Sequence, residues 1–129
     1  MSPHERHRPA FQAILTGALA LVLCSLLAYR FTSHSAEDEE RARAHIVLQT
    51  IYRIQQAHVK AYGTYLPIDR ENNMEILKLK DAPGRFRYRV EVSDSAFFGF
   101  AFADLDGDGE IEVWQIDREH PDPVLKNQD

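Results

Sequence analysis

An acidic segment between two apolar stretches carries the residue types with the clearest chemistry. Carboxylates occupy every second position of this segment: Asp104, Asp106, Asp108, Glu110 and Glu112. Ca²⁺ takes six to eight oxygen ligands, and alternate side chains on a tight loop converge on one point. Gly107 and Gly109 allow sharp turns because glycine accepts positive φ. The spacing therefore predicts a calcium site formed by the three aspartates, the carbonyl of Glu110 and the carboxylate of Glu112, bound directly or through water.

This segment differs from an EF-hand loop in two respects. With Asp104 as the first position, the twelfth is Gln115, where an EF-hand has a bidentate Glu. The flanking residues also alternate as strands do, instead of repeating as helices do. Asp-Gly is in addition a strong signal for a hairpin turn. A plain turn is therefore the alternative to a calcium site, and the short ligand set predicts modest affinity.

Three strands are predicted to position the acidic segment. Arg85–Val92 alternates apolar and charged residues, which predicts one buried and one solvated face. The arginines of this strand could bind an anionic partner, but strand alternation alone accounts for them. Phe97–Ala103 has phenylalanines on one face and mainly small residues on the other, where a helix can pack closely. Glu110–Asp117 is predicted to be the third strand, with imperfect alternation.

The first half of the chain combines an apolar run with helical spacing. Phe11–Tyr29 has no charged residue, and about 20 helical residues cross a hydrocarbon core. Apolar residues then recur every three or four positions, as in an amphipathic helix that ends at Gly63. This stripe contains Ala44, Val47, Leu48, Ile51, Ile54, His58 and Tyr62. Ala10–Tyr62 is therefore predicted to be one long helix, or two nearly in line.

These elements predict an α+β fold, in which a long N-terminal membrane-anchored helix packs on a small three- to four-stranded antiparallel sheet. The chain divides into six segments: a short basic leader 1–9, a transmembrane helix 10–30, a helix extension 31–63, a connecting region 64–84 with a short helix Met74–Lys80, a sheet 85–117 with the Asp-rich loop, and a polar tail 118–129.

Composition argues against several functional classes. The formal net charge of −5 is the wrong sign for nucleic-acid binding, which depends on neutralising phosphates. Cys24 is the single cysteine, so no disulfide forms within the chain; a lipobox is the alternative interpretation of Leu21–Cys24. The six histidines are scattered, and no nucleophile and base are paired. We expect no catalytic site and no small-molecule substrate.

Charges near the apolar run predict the membrane orientation. Arg6 and Arg8 precede the run, whereas Arg30 and then the acidic residues Glu37–Glu40 follow it. The positive-inside rule places the N-terminus in the cytoplasm and the C-terminal domain on the other side. A cleaved signal peptide is the alternative, but Ser33–Ala36 is a poor cleavage site. We therefore expect a retained single-pass anchor.

The order of these parts resembles a type IV pilin or a type II secretion pseudopilin. Residues 55–67 are similar to the end of the pilin helix, with its exit through Gly63, Tyr65 and Pro67. Phe102–Gly109 and Trp114–Asp117 are similar to pilin C-terminal strands. The resemblance implies a non-enzymatic structural subunit or accessory component of an envelope filament or secretion machine. It also implies calcium near the C-terminus, as in major pseudopilins.

The leader departs from the family. A prepilin is cut after Gly, whereas Ala10 precedes Phe11 here, and Leu15 occupies the fifth mature position, where the family has Glu. A minor or tip subunit, or an unprocessed relative, therefore fits better than a major subunit. The resemblance implies a bacterial inner-membrane location, a periplasmic or extracellular domain, and other pilin-like subunits as partners of the N-terminal helix. The alternative is an anchored calcium-dependent binding domain that does not enter a filament.

Overall fold

A computed structural model describes residues 8–79 and 84–127, without the side chains of residues 8–11 and 33. Within these ranges the elements follow in the order α1 Arg8–Tyr62, α2 Asn73–Ile76, β1 Arg87–Val92, β2 Phe97–Ala103, β3 Glu112–Asp117 and β4 Val124–Asn127. The strands form one antiparallel sheet in the order β1-β2-β3-β4. The predicted α+β fold is confirmed. Residues 1–7 of the leader, residues 80–83 of the connecting region and the last two residues of the tail lie outside the described residues, so Lys80 at the predicted end of the short helix is not tested.

Two compact units divide the chain, Met1–Ala36 and Glu37–Asp129. In the first unit, the described apolar side chains of α1 are exposed, and the helix is long and apolar enough to cross a membrane. Hydroxyl groups of this segment donate hydrogen bonds to carbonyl oxygens four residues earlier, from Thr16, Ser25 and Thr32. These bonds satisfy polar groups within the helix, as a hydrocarbon surrounding requires.

The core of the second unit lies between the last part of α1 and the inner face of the sheet. Ala44, Leu48 and Ile51 are fully buried, as the helical stripe predicts. A Cβ at Gly99 of β2 would be 3.4 Å from Cγ2 of Ile51 of α1, and 2.8 Å from Cγ1 of Ile116, which pairs with Gly99 from β3. The small residues of β2 therefore allow the close packing that their spacing predicts.

The end of the predicted stripe is wrong. Tyr62 is 74% exposed, whereas Gln55 is fully buried. The Gln55 side chain donates to the carbonyl oxygen of Leu66 at 2.7 Å and accepts from its N–H at 2.8 Å. The chain reverses at Gly63, which has a φ of 75°, and so brings Leu66 beside Gln55. Two hydrogen bonds then satisfy this polar side chain, which lies on the buried face of α1 although the predicted stripe does not include it.

Element boundaries also differ from the predictions. β1 and β3 each begin two residues later than expected, and the short helix is Asn73–Ile76 instead of Met74–Lys80. This helix ends early because the backbone at Lys78 is left-handed, with a φ of 54°. The polar tail contributes a strand that the alternation does not predict, since β4 pairs with β3.

Candidate metal centre

The acidic loop connects β2 to β3 and brings its three aspartates together. One carboxylate oxygen from each of Asp104, Asp106 and Asp108 lies within 4.8 Å of the others. The sheet fixes both ends of the loop through the pairing of Ala103 with Glu112. Within the loop, the two glycines adopt positive φ values of 81° and 91°. The cluster could therefore hold a metal ion, with each aspartate supplying an oxygen.

Backbone amides hold these carboxylates in place. Asp104 accepts hydrogen bonds from the N–H groups of Gly107, at 2.7 Å, and Gly109, at 3.0 Å. Asp106 and Asp108 each accept a hydrogen bond from the N–H group two residues further along the chain, at 3.0 and 2.7 Å. Hydrogen bonds to ionised acceptors are stronger than neutral ones. Backbone N–H groups of the loop thus fix the positions of its aspartate carboxylates.

Glu112 does not join this cluster. Its carboxylate is 1% exposed and accepts three hydrogen bonds from Arg41 of α1, at 3.0 to 3.1 Å. The indole Nε1 of Trp114 donates a further bond to it at 2.5 Å. Glu112 is the first residue of β3, on the same face as the buried Ile116. Strand alternation therefore directs the side chain toward α1, whereas the prediction grouped it with the loop ligands.

Glu110 follows the three aspartates in the same loop, and the prediction uses its carbonyl oxygen instead of its carboxylate. Its side chain is exposed, and its N–H group donates to Asp108 at 2.7 Å. The predicted ligand is its carbonyl oxygen, which stays a prediction. Because calcium takes six to eight oxygens, three aspartates alone leave positions for backbone carbonyls and water.

A second group of titratable and aromatic side chains lies between α1 and β3. The rings of His45 and Trp114 are 4.3 Å apart in an edge-to-face arrangement. Burial lowers the pKa of His45, although the nearby charge of Glu112 opposes this. Hydrogen bonding to Glu112 raises the pKa of Arg41. The sequence analysis did not predict this group. The signal that could have indicated it is the spacing of four residues between Arg41 and His45, which places both side chains on one face of a helix.

Comparison with protein-family models, curated proteins and solved structures gives no match. The resemblance to pilins therefore stays a prediction from the sequence.

Proposed function

We propose that this chain is a pilin-like structural subunit or accessory component of an envelope filament or secretion machine, anchored in a bacterial inner membrane. The observation that supports this most directly is α1, a single helix over Arg8–Tyr62. Its first part exposes apolar side chains, and its last part packs against the sheet of the second unit. This division of one helix between an anchor and a folded domain is what the proposed role requires.

The anchor would associate with other helices through apolar packing. Leu15, which occupies the position of the family's Glu, is 62% exposed. An apolar residue here avoids the cost of an unpaired charge in the bilayer, and it removes the ionic contact that the resemblance implies for other members. Assembly of this chain would then depend on helix packing within the membrane and on contacts of the soluble unit outside it.

Intact-mass measurement of the protein purified from bacterial membranes tests this proposal. We expect a mature form that begins at Phe11 if the chain follows the filament route. Ala10→Gly introduces the residue that the family has before the cut and should increase the processed fraction, while Leu15→Ala is the matched control and should not. An intact N-terminus in all three proteins would contradict entry into a filament by this route.

An anchored calcium-binding domain is the second candidate, and the cluster of three aspartates supports it. Titration calorimetry of the full chain in detergent tests it directly. We expect a dissociation constant on the order of 10⁻⁴ to 10⁻³ M, as for weak extracellular sites. Asp104→Asn should abolish the heat of binding, whereas Asp94→Asn, in the exposed turn between β1 and β2, should not. Absence of heat and of stabilisation at millimolar calcium would show that the loop is only a turn.

A further inference from the structure

A groove with basic and apolar walls runs beside β1. Its charged side chains are arginines, whereas those of the acidic loop are carboxylates. The groove has a volume of about 550 Å³. Three arginines border it, Arg70, Arg87 and Arg89, and its apolar wall includes Met74, Phe86 and Phe102. A groove of this kind suits a ligand that carries both carboxylates and an apolar side chain, because guanidinium groups bind carboxylates in a bidentate manner.

The arginines of this groove are only weakly neutralised by the rest of the described chain. Arg89 pairs with Glu91 at 3.0 Å, and both side chains are more than half exposed. Such surface pairs contribute little. Arg89 also lies over the ring of Phe100, 5.6 Å from its centroid. Among the described residues, Arg70 and Arg87 form no ion pair within 4.0 Å. The groove is therefore a positive patch on a chain whose net charge is −5.

The acidic loop presents the complementary chemistry. The side chains of Asp106, Asp108 and Glu110 are exposed at its tip. Ile111 follows directly and is 45% exposed, although it is a large apolar residue. The loop thus combines carboxylates with one protruding apolar side chain, which matches the combination of arginines and apolar wall in the groove.

We propose that the groove of one copy of this chain binds the acidic loop of a second copy, with Ile111 against the apolar wall and the loop carboxylates against the arginines. The inference deepens the proposed function and rests on it, since a structural subunit needs contacts between copies outside the membrane. The two surfaces are different parts of the chain, so the contact is heterologous and can repeat from copy to copy.

Sedimentation of the full chain in detergent, in low salt with a chelator present, measures this association. We expect it to weaken at least about tenfold in 1 M salt, where the Debye length falls to about 3 Å. Arg87→Glu/Arg89→Glu should weaken it to a similar extent, and so should Asp108→Lys/Glu110→Lys. The control Arg53→Glu reverses an exposed charge of α1 outside the groove and should leave the association unchanged.

Mixing the two charge-reversed proteins provides the decisive comparison. Each alone brings like charges together, whereas the mixture pairs an acidic groove with a basic loop and should restore association. Emission from Trp114 checks that both variants are folded. If charge reversal prevents folding of the groove variant, Arg87→Ala/Arg89→Ala is measured alone and should weaken the association at least about fivefold, whereas the mixing comparison applies to the charge-reversed pair. The proposal would be overturned if association did not depend on salt and were unchanged in these variants. It would also be overturned if the mixture of the two charge-reversed proteins stayed dissociated. Processing at Phe11 is measured separately, so failure of the groove contact is distinguishable from failure of the proposed function.

Discussion

Replacing Arg41 with Met should destabilise the second unit strongly, because it leaves the carboxylate of Glu112 buried without its charged partner. Breaking a buried ion pair from one side typically costs about 3–5 kcal/mol. Arg41 is 25% exposed on its side chain, and water therefore screens part of the charge. We expect a loss of about 3 kcal/mol in the free energy of unfolding, at the lower end of that range.

The double variant Arg41→Met/Glu112→Leu separates the ion pair from the packing around it. Replacing both charged partners by apolar residues is often neutral, since neither charge then has to be buried. Trp114 loses its hydrogen-bond acceptor in this variant, which costs about 1 kcal/mol. The double variant should therefore be more stable than Arg41→Met alone by about 2 kcal/mol, which is the difference between these two costs.

Urea denaturation of the full chain in mild detergent measures these changes. Trp114 is the single tryptophan and lies beside the altered pair, so its emission follows unfolding of this unit. Arg43→Met is the matched control on the same helix, where the pair with Glu40 is long, at 4.0 Å, and partly exposed; it should cost no more than about 1 kcal/mol. A cost for Arg41→Met as small as that of this control, or a double variant no more stable than the single one, would refute a stabilising role for the Arg41–Glu112 pair.

Three further changes have defined outcomes in the same unfolding assay. Gly99→Ala should cost about 1–3 kcal/mol, because the added Cβ overlaps a neighbouring core side chain; no loss would contradict this packing. Gln55→Ala should cost about 2 kcal/mol through its two buried hydrogen bonds, whereas the exposed neighbour variant Gln56→Ala should cost almost nothing. Burial raises the pKa of Asp117, but hydrogen bonds from nearby side-chain and backbone groups outweigh it and lower the pKa overall. The Asp117 carboxylate should therefore stabilise the folded state at pH values above its pKa in the unfolded chain. This stabilisation should be lost as the pH falls through its pKa in the folded state, and Asp117→Asn should not show that loss.

Much of the fold could be predicted from local periodicity. An uncharged run over Phe11–Tyr29 predicts a span, a recurrence of three and four residues predicts the helix extension, and alternation predicts strands. These signals depend on backbone geometry and on the need to bury one face, so they are readable without tertiary contacts. The exposed Tyr62 and the buried Gln55 were not predictable in this way, because the burial of Gln55 depends on where Leu66 lies after the chain reverses.

The acidic loop shows the same division between what local sequence predicts and what the tertiary structure adds. The sequence alone determined that Asp104, Asp106 and Asp108 lie on one tight loop, since alternate acidic residues with two glycines between strands leave few other arrangements. The acidic spacing of two continues without interruption to Glu112, but its structural meaning changes where the strand begins. In the loop, alternate side chains converge; in β3, they point to one face of the sheet. Only the tertiary structure decided that this face meets α1, where Arg41 binds the carboxylate of Glu112 and separates it from the three aspartates.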